Sequence, residues 1–485
     1  MDVIATKDYL GGKGKSPVHS KWWKEPAGIF LMLGLFSGFT LLLLLPPHQV
    51  ADEWRHFYRV YQLAEGRLIG HGLGDDLPRA LARLTYETEG FFGIPTREAK
   101  PWREGIDFLR NMTANRIDNK DTGYVFFPTV LYAPVPYAGM VATVTLGRWW
   151  TDSPLLLMYI GRLGGFLLAL GMTWYAIRLA PFGKWVFLLI AITPVVAYQR
   201  AGMSPDGFIN ALAMLQVALV LAAAFAPSGK VGGGGTFRLG IITVALCLCK
   251  QTYLALPFLN WLIPADRFTR PGYRWLLHVW TPVLGWAAAI GWAMLVMDRN
   301  YEPMKAGTDA MAQLQWIISH PLGYAGVLVR DLFFHSQQYL HELIGTLGWL
   351  DVPATNGLVL GHAAVLIGAG IVDGDNQARL TRFIRGWTVL VLIASLCLTW
   401  TIMYLWWAPV GSPDLPGMQG RYYAPLLPLL PILFSWPRSN QFAASIFSSH
   451  PAGQTSGRLW STVIGCYAFG LTVETIWRVM LHHYR

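Results

Sequence analysis

The chain has 485 residues, of which 53% are hydrophobic and only 14% carry charge, and its mean hydropathy is +0.37. Soluble domains carry about 25% charged residues, so this composition excludes an ordinary soluble protein, a disordered chain and a disulfide scaffold. In a soluble protein the net charge of +10 would suggest nucleic acid as a partner. In a membrane protein the same excess is expected from basic cytoplasmic loops, so no nucleic-acid partner is expected.

Uncharged windows of about 20 residues predict transmembrane helices, because that length crosses about 30 Å of hydrocarbon. The clear windows are Ala27–Leu45, Gly207–Pro227, Trp275–Met297, Val352–Val372, Gly386–Pro409, Tyr422–Trp436 and Leu459–Val473. Windows interrupted by Gly or Pro are Tyr124–Gly147, Leu155–Ile177, Trp185–Tyr198 and Leu239–Ile263. The sequence therefore predicts an all-α polytopic protein of the lipid bilayer, with about 11–13 transmembrane segments.

Basic residues predict which side of the membrane each loop occupies. Five lysines place residues 1–26 in the cytoplasm, and the first apolar window is expected to stay as an uncleaved helix. A transmembrane domain then covers 27–437, with outer loops at 52–123 and 298–351. Residues 438–485 are expected to form a cytoplasmic loop and a further transmembrane helix.

Two irregular segments are needed if the remaining basic clusters all lie in the cytoplasm. Tyr124–Gly147 would dip into the membrane and return, and Leu239–Ile263 would rise, break around Lys250 and descend. Irregular backbone at membrane depth is tolerated only where it is buried in protein or lines a watery cavity. The two segments therefore indicate a site on the outer side.

The loop that follows the first window concentrates charge. Between Asp52 and Asp121 there are 11 Lys or Arg and 12 Asp or Glu, which is 23 of the 66 charged residues of the chain. Long loops of this kind are usually functional or disordered. Aromatic residues are interleaved with the charges, so we expect a folded loop that lies on the membrane.

The strongest local motif begins at Asp52. Asp52 as N-cap and Gly66 as stop predict a helix over Glu53–Glu65, in which positions 52, 56 and 59 share one face. An acid, an imidazole and a guanidinium would then lie together just outside the membrane. The alternative is that Asp52 only caps the helix, worth about 1 kcal/mol, while the arginines contact lipid headgroups. A cap does not explain the second acid, Glu53.

Three further charged residues stand next to apolar windows. Asp206 begins an uncharged helix, Lys250 interrupts an apolar run, and Arg421 ends a Gly- and Pro-rich loop. A lysine at hydrocarbon depth is costly and by default indicates function, and the planar fork of an arginine suits phosphate oxygens. The alternatives are an interfacial cap for the acid and snorkelling to the interface for the two cations.

Other catalytic signatures are missing from the sequence. The twelve histidines form no metal triad by spacing, and no phosphate-binding loop, dinucleotide glycine pattern or serine elbow occurs. The sequence therefore gives no support for ATP hydrolysis or redox catalysis.

The order of these motifs resembles the type C glycosyltransferases, polytopic enzymes that use polyprenyl-phosphate sugars. It resembles more closely a bacterial membrane-protein family, the domain of unknown function numbered 2142, which is thought to belong to the same fold group. The resemblance runs from about Ala27 to Pro437. The residues that carry it are Asp52-Glu53-Trp54-Arg55-His56-Phe57, Ser204-Pro205-Asp206, Gly348-Trp349-Leu350-Asp351 and Gly420-Arg421-Tyr422-Tyr423-Ala424-Pro425.

The resemblance implies a type C glycosyltransferase fold in the bacterial inner membrane, with an active site that faces outside. The donor would be a polyprenyl-phosphate-linked sugar, and the acceptor a hydroxyl of a glycan, a lipid or a protein. One carboxylate can suffice for a single inverting displacement, since the phosphate leaving group needs positive charge but no strong acid.

The resemblance also implies roles for single residues. Asp52 would be the general base, oriented by Glu53 and His56. The donor phosphate would be bound by Arg421, Lys250 and Arg59, with Asp206 as a second acid and with Tyr422, Gln419 and Tyr124 lining the site. The sequence leaves open whether a divalent cation, Mg²⁺ or Mn²⁺, bridges Asp52 and Asp206 to the phosphate.

Two other functions remain open from the sequence. A transporter or flippase for lipid-linked sugars would also use broken helices and cations at membrane depth. However, we find no inverted repeat, and the polar residues cluster on one face rather than at the midplane. An O-antigen polymerase or ligase would be another enzyme that uses lipid-linked glycans.

Overall fold

A computed structural model of the chain describes residues 22–226, 229–300, 307–373, 380–435 and 453–485. Most of the predicted cytoplasmic N-terminal segment, residues 1–21, lies outside these ranges. So do residues 438–452 of the second predicted cytoplasmic loop and residues 301–306 of the second predicted outer loop.

The described part of the chain is mostly helical. In chain order, its first nine α-helices are α1 Pro26–Leu44, α2 Glu53–Ala64, α3 Arg79–Phe91, α4 Trp102–Met112, α5 Ala138–Gly147, α6 Pro154–Leu179, α7 Lys184–Ile192, α8 Pro194–Ala201 and α9 Pro205–Phe225. They continue as α10 Gly233–Cys249, α11 Pro271–Trp275, α12 Thr281–Asn300, α13 Ala310–Ser319, α14 Pro321–Ile344, α15 Asn356–Val372, α16 Arg382–Trp407, α17 Leu430–Phe434 and α18 Gly453–His483. The strands are β1 Gly74–Pro78 and β2 Thr122–Phe126.

Six helices in the described ranges are long and apolar enough to cross a membrane, and this confirms a polytopic membrane protein. They are α1, α6, α9, α16, the segment Pro271–Met297 and the Trp460–His483 part of α18. Continuous spans are fewer than the expected 11–13, because other apolar windows form shorter helices or turns. The window Tyr422–Trp436, for example, begins in a 3-10 helix over Gly420–Leu429, whose internal Pro425 and Pro428 prevent a regular α-helix, and continues in the short helix α17.

The charged loop after α1 is folded, as predicted, but it is not entirely helical. Strands β1 and β2 pair antiparallel, with Gly74 opposite Phe126 and Pro78 opposite Thr122. The all-α prediction therefore does not hold within this loop, where two short strands pair over Gly74–Pro78 and Thr122–Phe126. Helix α2 agrees with the prediction to within one residue, and Gly66 follows it with φ +80°.

Segment Tyr124–Gly147 reverses its direction, as the predicted topology requires, so that its end returns toward the folded loop. A Cβ on Gly139, near the start of α5, would lie 2.7 Å from the Gly164 oxygen, in the middle of α6. A Cβ on Gly147, at the end of α5, would lie 3.1 Å from Ile160, nearer the start of α6. Helix α5 therefore runs antiparallel to α6 and brings the chain back to the loop.

Segment Leu239–Ile263 rises, breaks and descends, as predicted. Helix α10 ends at Cys249, and Lys250 has the extended conformation φ −154°, ψ 138°. Turns of 3-10 helix then return the chain to the level at which α10 began. There the Val231 N–H donates to the Arg267 carbonyl at 2.6 Å. The break therefore leaves Lys250 at the loop end of the helices.

A buried ion pair fixes the folded loop to the helix bundle. Glu53, the first residue of α2, and Arg162 of α6 are each 0% exposed. Arg162 donates two hydrogen bonds to the Glu53 carboxylate, at 2.8 and 2.6 Å, and two to the Leu45 and Pro46 carbonyls, at 2.7 and 2.9 Å. Glu53 also accepts from the Met203 N–H at 2.8 Å. The pair therefore joins α1, α2, α6 and the α8–α9 connection.

The last residue of α18 and the residues that follow it pack against the same loop. The Lys100 N–H donates to the His483 carbonyl at 3.0 Å, and the Arg485 N–H donates to the Lys100 carbonyl at 2.9 Å. Thr96 and His483 are joined by a side-chain hydrogen bond of 2.8 Å. The end of α18 and the folded loop therefore lie at the same end of the bundle.

Removing one charge of the buried pair should destabilise the fold strongly. We expect Glu53→Gln to lower the free energy of unfolding by about 3–5 kcal/mol, because it leaves the Arg162 guanidinium buried without a counter-charge. Asp152→Asn is the matched control, since its pair with Arg116 is exposed and such pairs contribute about 1 kcal/mol or less. Unfolding of the purified variants in detergent measures both, and equal losses would contradict the anchoring role of Glu53.

Candidate functional site

Asp52 has an unusual backbone conformation that turns its side chain away from the helix it precedes. Its φ of 61° and ψ of 13° are left-handed, and its side chain makes no cap hydrogen bond. Asp52 therefore occupies the predicted N-cap position, but its side chain does not cap the helix. Its Oδ1 instead accepts from Arg55 at 2.8 Å, and its Oδ2 lies 3.8 Å from Arg421 Nη2. A non-glycine residue in this region is strained, and such strain is typical of functional sites.

Asp206 and Lys250 form a second ion pair close to Asp52. Asp206 lies in the first turn of α9, where Ser204 is the residue that caps the helix. Lys250 Nζ lies 2.6 Å from Asp206 Oδ1, and both side chains are mostly buried. Lys250 also lies over the ring of Tyr422, 5.1 Å from its centre. Snorkelling does not explain this lysine, because its ammonium group is bound to a buried acid.

Arg421 is held by a turn in which the preceding position, residue 420, tolerates only glycine. The Gly420 N–H donates to Glu342 Oε2 of α14 at 2.6 Å, and Glu342 is 3% exposed. A Cβ on Gly420 would lie 2.0 Å from the Tyr339 carbonyl oxygen. Glu342 therefore positions the turn that carries Arg421. Sequence reasoning missed it, because it was assigned to an outer loop rather than to a helix.

These residues surround one end of a cavity of about 390 Å³. At its polar end the cavity is lined by Asp52, Arg55, His56, Lys250 and Tyr422. Its walls are apolar and come mainly from the ends of α10, α12 and α16, through Leu248, Ala289, Trp292, Ala293, Val296, Met297, Ile402, Met403, Trp406 and Trp407. The cavity therefore combines charge at one end with hydrocarbon-like walls, and it suits an amphipathic ligand.

The four charged residues predicted to line one cavity are brought together, in two layers. Asp52 and Lys250 line the cavity directly. Asp206 and Arg421 stand behind them, with Asp206 bound to Lys250 and Arg421 3.8 Å from Asp52.

The sequence profile described as "Predicted membrane protein (DUF2142)" matches residues 35–430. The chain belongs to this family. The matched stretch contains the charged residues that line the cavity and the two that stand behind them, Asp206 and Arg421. No curated protein and no solved structure matches the chain.

Two predicted site residues of this DUF2142 protein lie on α2 but away from the cavity. Glu53 points to Arg162, as described above. Arg59 is 0% exposed and donates to Gln62 Oε1 at 2.5 Å and to the Tyr132 carbonyl at 2.7 Å. It shares a helix face with Asp52, but it lies about 10 Å further along the axis at 1.5 Å per residue. There the segment that carries Tyr132 covers it.

Two other predicted lining residues are also displaced from the cavity. Tyr124 lies in β2 opposite Asp76, and its ring is 5.3 Å from that of His71. Gln419 precedes the Arg421 turn but does not line the cavity, whereas Tyr422 does. The predictions for Tyr124 and Gln419 are therefore wrong, because closeness in sequence to a lining residue does not fix the direction of a side chain.

The acids of the site do not fit the proposed Mg²⁺ or Mn²⁺. The described residues include no group of three or more His, Cys, Asp or Glu that could hold a metal ion. Asp206 is bound to an ammonium group and Asp52 to a guanidinium. A bridging cation would lie next to both positive groups and be repelled by them, so the acids are better described as partners of the cationic side chains.

His56 is neutral in this site. It is 6% exposed, and its Nδ1 lies 2.8 Å from the Tyr137 hydroxyl. Burial lowers its pKa from 6.5 to about 4, although Asp52 and Asp206 act in the opposite direction. The imidazole can therefore orient neighbouring groups by hydrogen bonding but adds no positive charge at pH 7.

The depressed pKa of His56 predicts a pH-dependent stability. Between pH 6.5 and 4 the unfolded chain binds a proton at this position and the native protein does not, so stability falls as the pH falls. We expect a contribution of about 3 kcal/mol over this range, which His56→Gln removes.

Melting temperatures of both proteins at pH 7.5 and pH 5 measure the part of this contribution that is lost above pH 5, about 2 kcal/mol. The wild type should lose more stability than His56→Gln on acidification. His71→Gln is the control, because His71 belongs to the same loop and is exposed, and it should follow the wild type. Parallel losses in the wild type and His56→Gln would contradict a neutral, buried His56.

Proposed function

We propose that this protein transfers a sugar from a polyprenyl-phosphate donor to a hydroxyl acceptor, on the outer side of the bacterial inner membrane. The observation that carries the proposal is the cavity, in which one acid and paired cations stand at the end of apolar walls. A polyprenyl-phosphate sugar needs both parts, since its phosphate requires cationic donors and its chain requires an apolar surface.

Asp52 supplies the general base. Its carboxylate is the acid that lines the cavity, and it is 31% exposed. In the proposed step it takes the proton of the acceptor hydroxyl while the acceptor oxygen bonds to the anomeric carbon. The bond from that carbon to the phosphate oxygen breaks, and the phosphate keeps the electron pair. The products are an inverted glycoside, polyprenyl phosphate and a protonated Asp52, which returns its proton to solvent.

Lys250 and Arg421 stabilise the charge that develops on the phosphate. Lys250 lines the cavity as a compact point charge, which Asp206 holds in place at 2.6 Å. Arg421 is 3.8 Å from Asp52, too far for a hydrogen bond. Its buried Nε has no hydrogen-bond partner in the described structure, so the guanidinium has a donor left for a phosphate oxygen.

A flippase for lipid-linked sugars would use the same cations but would not need a base. Its activity would depend on phosphate binding and on conformational change, and a neutral amide at position 52 would leave both intact. Substitution of Asp52 therefore distinguishes the two functions.

We expect Asp52→Asn to lower the rate of sugar transfer by a factor of at least 10². The affinity for the donor should stay close to that of the wild type. Asparagine keeps the volume and tolerates left-handed backbone. Transfer is measured with purified protein and a panel of undecaprenyl-phosphate hexoses and pentoses. Asp76→Asn, an exposed acid in the same loop, is the control and should remain active. Full activity of Asp52→Asn would remove Asp52 as base.

We expect Arg421→Ala to raise the donor KM by about tenfold or more, since a charge-assisted pair is worth about 1.5–3 kcal/mol. Arg421→Lys should have a smaller effect, because it keeps the charge but not the fork. The acceptor KM should change little. Arg330→Ala is the control, because that arginine is exposed and 4.0 Å from Asp414. Donor titrations that coincide for wild type and Arg421→Ala would exclude Arg421 from the site.

A further inference from the structure

A second cavity lies between α14, α16 and the segment that follows Arg421. Its volume is about 330 Å³. Nine of its lining residues are leucines, and we call it the leucine groove. It is lined by Leu332, Ser336, Tyr339, Leu340, Leu343, Leu392, Leu396, Trp400, Tyr423, Leu426, Leu427, Leu430 and Leu433. The proposed reaction makes no use of this groove.

The leucine groove lies at hydrocarbon depth. Its α16 residues, Leu392, Leu396 and Trp400, occupy the middle of a helix that is long and apolar enough to cross a membrane. They extend over about 12 Å at 1.5 Å per residue. The first cavity begins where they end, since Ile402 and Trp407 line it near the end of the same helix. The groove therefore runs from the site toward the middle of the bilayer.

The groove and the first cavity meet at one turn. Tyr422 lines the cavity and Tyr423 lines the groove, directly after Arg421. The Tyr423 hydroxyl and the Trp400 indole N–H are buried and have no hydrogen-bond partner in the described structure beyond each other. The groove therefore has apolar walls and a polar end, and that end adjoins the turn that carries Arg421.

We propose that the leucine groove binds the hydrocarbon chain of a lipid-linked acceptor. The proposal rests on the proposed function and narrows its acceptor to a glycolipid. The donor belongs to the first cavity, because Lys250 lines that cavity and not the groove. The donor and acceptor chains would then lie on opposite sides of the turn that carries Arg421, the residue 3.8 Å from Asp52. A soluble glycan or protein acceptor would need no second apolar groove.

Photolabelling tests this assignment without requiring transfer. The probe is a hexadecyl maltoside with a diazirine in the middle of its alkyl chain, added to the full chain in nanodiscs that contain undecaprenyl phosphate. We expect labelling in 392–400 and 423–433, and undecaprenyl phosphate should not compete with it. Leu396→Trp fills the groove and should reduce labelling at least fivefold. Ile393→Trp is the matched control, because Ile393 is 51% exposed on the same helix, and it should label like the wild type.

Three outcomes would overturn the proposal. Competition by undecaprenyl phosphate would assign the groove to the donor chain. Equal labelling by a diazirine phosphatidylcholine would identify an occupant from the bulk bilayer, and equal labelling of Leu396→Trp would place the probe elsewhere. Leu427→Phe, a smaller filling change in the same groove, replaces Leu396→Trp if that variant does not fold. The Asp52→Asn transfer assay tests the proposed function separately, because labelling depends only on binding.

Discussion

The buried pair between Glu53 and Arg162 is the constraint on which the site depends. Two charges without water are stable only if every donor and acceptor finds a partner. Here these partners come from the end of α1, from α6 and from the connection before α9. Glu53 is fixed inward, whereas its neighbour Asp52 has a left-handed backbone and a carboxylate that lines the cavity. The anchor and the proposed base are consecutive residues with opposite surroundings.

The charges around the cavity leave a net positive balance. Asp52 and Asp206 contribute two negative charges, Arg55, Lys250 and Arg421 contribute three positive charges, and His56 is neutral by virtue of its lowered pKa. The formal sum is +1. An anion that enters this space completes the charge balance. The arrangement is therefore consistent with the anionic head group of the proposed donor.

Sequence reasoning was most successful where a residue violated the pattern around it. Lys250 in an apolar run predicted the break in the helix, and Gly66 predicted the end of α2. It failed where three-dimensional context decides. Helical periodicity placed Arg59 on the face of Asp52 but could not show that the segment with Tyr132 covers it. Nothing local to Glu342 indicates that it holds the backbone of Gly420, 78 residues later.

The contact between α18 and the folded loop has a consequence for biosynthesis. Thr96 and His483 are 387 residues apart in the chain, yet they are hydrogen-bonded, and Lys100 pairs with the backbone of residues 483–485. At about 5–20 residues per second the ribosome needs roughly 20–80 seconds to make the intervening chain. During that time the part of the loop that α18 contacts has no partner. These contacts form only after α18 has been made, so the loop that carries Asp52 is completed by the last helix of the bundle.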